Sequence, residues 1–585
     1  MLDSRATENE ITAHAVTCVG RTRSHLQAAG RRANTATTAQ ELSGTLNGLA
    51  VACQAQPVDG AIDLSGRIAR MTDAQWWKRG LRRNILRENE TIEHAAGHIR
   101  RRGQCYVSDH AVHAMARRGK ANRETLQALE VVNEDGQALN LSEVADASVS
   151  NPKLRRAELM VRCRGFEETA AYMKHEAVFF TLTCPSRFHR FNAAGQPNEK
   201  WTDETPRDAQ QYLRRVFERT RAEWARAGFT PYGFRVAEPH HDGCPHWHIL
   251  LFMPPEQAGW FVARRFVADR NDSGAGIIGI FGRQALSDSA GERGAIRHRF
   301  TAKRIDPGKG TATGYIAKYI CKNIDGLRED GEGVGLDFAS GTAADKAAVR
   351  VRAWASVWGI RQFQQVGGPS VTVWRELRRL GEGQAQQMDM FEGPRAAADR
   401  SLWSLFWVLQ GGPEVKRKDL TLRPLWTVDG TGKYGDNVAR VLGVQGRDYD
   451  TQAEHAIVTK MHTWTVQRAG LADVDAQMYE GREGRASAAR QLAFVQAAGY
   501  RDVSEFLGHG ATVTPWTGVN NCTDGFDLSG FEASDPAQWA HLATKGPPGD
   551  VQTMFEDLWA AQDTQAAIEA RWSRENSRGR GGYHQ

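Results

Sequence analysis

Residues 232–252 read YGFRVAEPHHDGCPHWHILLF, two runs of strand-forming residues separated by a stretch punctuated with Pro and Gly. The pattern predicts an antiparallel hairpin, with YGFRVAE as one strand, PHWHILLF as the other and PHHDGCP as the turn. Side chains alternate faces along a strand, so His246 and His248 project together from one side while Trp247, Ile249 and Leu251 pack behind. Pairing of the two strands then brings Glu238, at the end of the first, beside the histidines. Two imidazole nitrogens and a carboxylate oxygen can hold a metal ion and leave positions open for a phosphate oxygen and water. His240, His241 and Asp242 in the turn are rival ligands.

Further along, TGYIAKYICKNID from Thr313 reads as a helix, opened by Thr311 or Thr313 as cap and closed near Asp325-Gly326. Helical spacing puts Tyr315, Lys318, Tyr319 and Lys322 on one face and Ile316, Ala317, Ile320 and Ile324 on the opposite one. The apolar face is expected to be buried and the tyrosine-lysine face to look out. A free phenol has a pKa of about 10. Nearby ammonium groups and a metal-bound phosphate both favour the phenolate, the form that acts as a nucleophile. A metal-binding pair followed by a tyrosine pair suits an enzyme that cuts one DNA strand and keeps hold of the end.

Three segments, FFTLTCPSRFH at Phe179–His189, EPHHDGCPHWHILLF and YIAKYICKN, resemble in order motifs one, two and three of the HUH endonucleases. NPKLRRAELMVRCRGFEE at Asn151–Glu168, YGFRVAEPHHDG, and RQFQQVGGPSVTVWRELRRL at Arg361–Leu380 are similar to the bacteriophage replication gene A protein family, initiators of rolling-circle replication. The resemblance covers residues 151–380 and fades on the flanks. It implies an α+β fold, a central antiparallel sheet with flanking helices, with Thr181-Leu182-Thr183 on a central strand beneath the site. It also implies Mg²⁺ or Mn²⁺ bound by His246 and His248, with Glu238 at the position of the acidic third ligand. Tyr315 or Tyr319 would attack the scissile phosphate of origin DNA, single-stranded or supercoiled, leaving a 5′-phosphotyrosyl link and a free 3′-hydroxyl. Since the link conserves the bond energy, rejoining needs no ATP. Two tyrosines allow a second cut while the first still holds the old end. Lys318, three residues after Tyr315, matches the helper lysine of single-tyrosine relatives, so a mechanism using Tyr315 alone stays open. A relaxase or transposase of a mobile element would use the same chemistry, and a noncatalytic origin-binding protein of the same fold is the non-enzyme alternative.

Bulk properties agree with this class. The 585 residues are enough for two to four domains, and a composition 41% hydrophobic and 25% charged is that of a soluble protein. A net charge of +6 and a pI near 8.8 are compatible with a DNA partner. WWKRGLRRNILR at 76–87, IRRRG at 99–103 and YLRRVFERTRAEWARAG at 212–228 read as arginine-rich helices able to line a strand-binding groove. The eight cysteines form no CxxC pair, which argues against a zinc ribbon or a disulfide framework and fits a reducing compartment, the host bacterial cytoplasm. No apolar stretch approaches membrane-span length, and MLDSRATENE lacks the features of a signal peptide. No P-loop motif occurs, so unwinding is expected to need a separate host helicase, with a host polymerase extending the 3′ end.

Three regions are expected. Residues 1–150 read as mostly helical, contacting DNA or a host factor, with a polar linker over 133–150. Residues 151–380 form the catalytic domain. Residues 381–585 form a mixed region: a linker in QAQQMDMFEGPRAA, a buried apolar SLWSLFWVLQGG, a strand pair in DLTLRPLWTVDGTGKYG, and a basic, disordered tail, RENSRGRGGYHQ.

Overall fold

The computed structural model describes residues 3 and 6–469, apart from 32–38, 59–61, 102, 193, 263–265, 268–275, 278, 290–291, 293, 328–332, 334, 338–339, 382–388 and 449–452. The expected disordered tail lies outside the described residues, as does Arg102.

At the centre is a five-stranded sheet of β1 (Glu176–Thr183), β2 (Tyr232–Pro239), β3 (Pro245–Met253), β4 (Phe300–Arg304) and β5 (Phe363–Val366). The order across it is β4-β1-β3-β2-β5, and every pairing is antiparallel. The expected hairpin is β2–β3, with Glu238 directly opposite His246 and Val236 opposite His248. On the other side of β3, Thr181 faces His248 and Thr183 faces His246. The turn closes through His240 N–H to the Cys244 carbonyl, 2.7 Å, with Gly243 in a left-handed conformation at φ +82°.

Gly233 pins the hairpin at its other end. Its φ is +151°, and a Cβ there would stand 2.0 Å from the Leu250 carbonyl oxygen across the pair. Only glycine allows that approach. Gly233→Ala is therefore expected to cost at least about 2 kcal/mol, read as a lowered Tm; an unchanged Tm would show that β2 can shift to relieve the clash.

Five helices set the layers: α1 (Ala74–Ala95), α2 (Pro152–Tyr172), α3 (Pro206–Arg226), α4 (Ala312–Ile324) and α5 (Ala344–Trp358). Each of α2, α3 and α4 begins at a residue whose side chain accepts a first-turn N–H: Asn151, Thr205 and Thr311. One face of the sheet, carrying Phe180, Leu182, Trp247 and Ile249, packs on α3 and α5 through Leu213, Phe217 and Trp354. The other face, with Phe179, Phe234 and Leu250, packs on α2 and α4 through Phe166, Ile316 and Ile320. The fold is thus mixed α and β, with antiparallel sheets, as expected.

Several local expectations need correction. The stretch 133–150 is no linker: Asn133–Gln137 turns between short strands Leu129–Val132 and Ala138–Asn140, and Leu141–Asp146 is helical. The IRRRG run lies in bends and a turn, its Gly103 N–H bonded to the Arg100 carbonyl. Part of the expected linker after Leu380 is a helix, Asp389–Asp399, which tolerates Pro394 because Phe391, Ala397 and Ala398 are buried. The SLWSLFWVLQGG segment contains the buried helix Trp403–Leu409, and the expected strand pair within 419–435 is instead one strand, Leu422–Thr431, whose hairpin partner Asn437–Arg447 lies beyond that segment. Trp403, Phe406, Leu422 and Val444 share a core cluster with Phe166 and Phe234. The strand Thr465–Arg468 returns to pair with Leu129–Val132. Among the described residues, no helix is long and apolar enough to cross a membrane.

Candidate active site

Alternation along β3 sends His246 and His248 to the sheet face that carries Thr181 and Glu238, and Trp247 to the opposite one. Their Nε2 atoms are 2.9 Å apart. Glu238 Oε2 stands 3.8 Å from His246 Nε2 and 3.6 Å from His248 Nε2. Among the described residues, this is the one group of three or more His, Cys, Asp or Glu whose donor atoms all lie within 4.8 Å of one another. Thr181 Oγ1, 3.2 Å from His248 Nδ1, fixes that ring so that Nε2 points inward.

The ionisation of His246 and Glu238 suits a divalent ion. Burial, reinforced by His240, His248 and Lys322, holds His246 well below its usual pKa, so its imidazole is neutral. Burial alone would raise Glu238, but His248, Lys322 and Asn323 together hold it below the usual value. A neutral imidazole and an ionised carboxylate are the donor forms a metal takes. His246 Nδ1 is buried without a hydrogen-bond partner among the described residues. The residues present therefore fit the metal.

The rival ligands have other surroundings. The Asp242 carboxylate accepts from Cys244 N–H at 3.1 Å and sits 3.2 Å from His189 Nδ1, stabilising the turn. The His240 ring lies against His246 with centroids 4.1 Å apart, and His241 gives its carbonyl to Tyr106 N–H. None of the three joins the cluster of donor atoms.

Helix α4 is anchored at its start. Thr311 caps it through the Gly314 N–H at 3.0 Å, and the Glu167 carboxylate on α2 accepts from Ala312 N–H at 2.6 Å and Thr313 N–H at 3.0 Å. Ile316, Ile320 and Ile324 are buried as expected. The tyrosines do not look out into solvent. Both are half-buried, because the helix lies across β1 and turns their rings toward Phe179, at 4.6 Å for Tyr315 and 5.5 Å for Tyr319. The Tyr319 ring also lies 4.1 Å from that of His248. The nucleophile candidates and the metal-ligand candidates thus form one cluster.

The lysines divide. Lys318 is exposed and sits over both phenol rings, at 4.6 and 4.7 Å. Lys322 instead turns to the carboxylates, 2.9 Å from Asp337 and 3.9 Å from Glu238. The phenolate is not favoured at Tyr319: burial raises its pKa, and Tyr315 and Glu238 add to the rise. Burial of the ring outweighs the single ammonium above it.

Three residues of this cluster were missed in the sequence. Asn323 donates from its side-chain amide to Glu238 and, at 2.6 Å, to the Tyr319 carbonyl, and accepts from Gln362 at 3.3 Å. It ties the tyrosine helix to the carboxylate. Its only signal is its place four residues after Tyr319. Lys303 on β4 lies 5.3 Å above the Tyr315 ring, and Asp337, which Tyr106 O–H contacts at 2.5 Å, anchors Lys322. Asn323→Ala is expected to raise the metal concentration giving half-maximal activity by about 10- to 100-fold; a metal titration unmoved by the change would make the amide a packing group only.

Residues 9–327 match the family described as bacteriophage replication gene A protein. The chain is 37% identical over 409 residues to the replication gene A protein of Escherichia phage 186, covering 69% of this chain and 56% of that one. It is 38% identical over 413 residues to the replication gene A protein of Escherichia phage P2, covering 68% and 51%. A probable replication endonuclease from a prophage-like region of Salmonella typhi is 33% identical over 489 residues, covering 81% and 54%. The chain spans about half the length of the curated relatives it matches. No solved structure matches it.

Proposed function

Because the chain belongs to the bacteriophage replication gene A protein family, we propose that it is a metal-dependent endonuclease of the HUH type. It nicks one strand of a phage replication origin, holds the 5′ end on a tyrosine, and so starts rolling-circle replication. The observation that carries this reading is the convergence of Glu238, His246 and His248 beside the Tyr319 ring, 4.1 Å from His248. The relatives' names, replication endonuclease among them, support the same class.

Glu238, His246 and His248 would hold Mg²⁺ or Mn²⁺. Such an ion polarises a phosphate and offsets the charge that builds on it during displacement. The chain's own residues do the rest. Thr181 and Asn323 hold His248 and Glu238 in place, and Phe179 packs against both phenol rings. A phenol oxygen of Tyr319 or Tyr315 bonds to phosphorus and gives up its proton. The bond from phosphorus to the 3′ oxygen breaks, and that oxygen takes up a proton and leaves as a hydroxyl. Reversal rejoins the strand. Tyr319 is the nearer to the metal ligands, while Tyr315, at a centroid distance of 6.4 Å from it, serves the second transfer. Lys318, above both rings, stabilises whichever phenolate forms. Lys322, itself paired with Asp337, joins His248 and Asn323 in keeping the buried Glu238 ionised. A host helicase and polymerase complete the replication cycle.

The experiment is incubation of the protein with supercoiled origin plasmid and Mg²⁺ or Mn²⁺, followed by denaturing electrophoresis. A relaxed circle carrying covalently bound protein is expected; nicking that leaves no bound protein would exclude a tyrosine intermediate.

A further inference from the structure

The arginines of α3 are not used by the site above, and they gather on the opposite face of the sheet. There, a cavity of about 360 Å³ opens between α3, the end of α1, the start of β5 and the face of β2 and β3 that carries Arg235 and Trp247. Arg207, Arg214 and Arg221 on α3, Arg87 on α1, Arg235 on β2 and Arg361 before β5 line it, with Glu218 as the one acidic lining residue. Glu218 pairs with Arg214 at 3.2 Å. Among the described residues, none of the other five arginines has a carboxylate partner.

Arg235 shows that this charge is built in. It is 3% exposed, yet its guanidinium sits over the Trp247 ring, 3.9 Å from the centroid, and donates to the Arg361 carbonyl at 2.9 Å. Its Nε is buried with no partner among the described residues. Burial, with Arg361 beside it, lowers its pKa to about 10. Trp247 is itself held by Gln210, another lining residue, through Nε1 at 2.9 Å. Burying a guanidinium without a counter-charge is costly unless an anion completes the site.

The rest of the cavity says which anion. Arg207, Arg214 and Arg221 recur every seven residues and are exposed, so they form one stripe along α3. At helical rise the stripe is about 21 Å long, too long for one phosphate group and suited to several successive phosphates of an extended strand. The aromatic lining, Phe217, Trp247 and Trp358, is buried, which leaves no ring for base stacking and makes the contact independent of sequence.

We propose that this cavity and the α3 stripe bind the phosphate backbone of single-stranded DNA at a second site, on the face of the sheet away from Glu238, His246 and His248. The site does not rest on the nicking chemistry, and it is measured without it. The probe is a fluorescent oligothymidylate of about 20 nucleotides, titrated with the full chain in EDTA and followed by anisotropy at several salt concentrations. In R207A/R214A/R221A the affinity is expected to fall at least about tenfold, and the slope of log K against log salt to shrink by about 2, near 0.7 for each lost phosphate contact. Where that variant melts early, R214A/R221A, both on exposed positions, is read instead, with a slope change of about 1.4. Unchanged affinity and slope in a variant that melts like wild type would overturn the proposal. So would loss of inorganic pyrophosphate binding while oligothymidylate binding persists, because the cavity would then hold a small phosphate compound. Loss of oligothymidylate binding with metal-dependent adduct formation on a short origin strand retained would support it.

Discussion

The variant Y315F/Y319F is expected to form no covalent adduct with origin DNA and to cleave at least about a thousandfold more slowly than wild type. The size follows from chemistry: phenylalanine has no oxygen to bond to phosphorus. The fold should survive, because what both rings do structurally is pack, on Phe179 at 4.6 and 5.5 Å and on His248 at 4.1 Å, and a phenyl ring packs as well as a phenol. The single variants separate the roles. With Tyr319 beside His248, Tyr319→Phe should remove most of the first cut, and Tyr315→Phe should spare it while impairing transfer to a second end. A double variant that still nicks at the origin would move the nucleophile to water or to another residue.

The second large effect is expected at the metal ligands. His248→Ala, His246→Ala and Glu238→Ala should each lower cleavage by about a thousandfold or more, and added Mg²⁺ or Mn²⁺ should not restore it. Removing one donor also removes what its neighbours are set up to face. Thr181 Oγ1, at 3.2 Å from His248 Nδ1, and the Asn323 amide on Glu238 would both lose a partner. Glu238→Ala still leaves Lys322 paired with Asp337 at 2.9 Å, so no isolated buried charge is created and the loss can be assigned to the ligand. His241→Ala, in the same turn but outside the donor cluster, should leave the metal dependence as it is. Full metal-dependent cleavage by Glu238→Ala would return the third-ligand role to His240, His241 or Asp242.

The part of the site carried by one hairpin was readable in the sequence, since a Pro- and Gly-marked turn between two alternating runs fixes the register. That register alone places Glu238 opposite His246. The α4 stripe was readable too, as far as which residues share a face. Periodicity cannot say what the face meets. Two expectations failed for that reason: the tyrosines turn toward Phe179 instead of solvent, and Lys322 pairs with Asp337 instead of standing beside the phenols. Asn323 was invisible because its partner Glu238 is 85 residues away, and nothing local marks an amide as the link. The edge strands β4 and β5 are five and four residues long and take their form from the neighbours they pair with, not from their own composition. The same holds for Asp389–Asp399, where Gly393 and Pro394 suggest a linker and the burial of Phe391 makes a helix.

One of the two tyrosines on α4 is expected to become bonded to DNA. This is tested most directly by mass spectrometry of the protein after reaction with an origin strand, nuclease trimming and trypsin digestion. Trypsin cuts after Lys309, Lys318 and Lys322, so Tyr315 and Tyr319 fall in different peptides, 310–318 and 319–322. A nucleotide phosphate is expected on one or both of these peptides, formed only when a divalent metal is present. A phosphate-linked nucleotide on any other peptide, or cleaved DNA with both peptides unmodified, would contradict it.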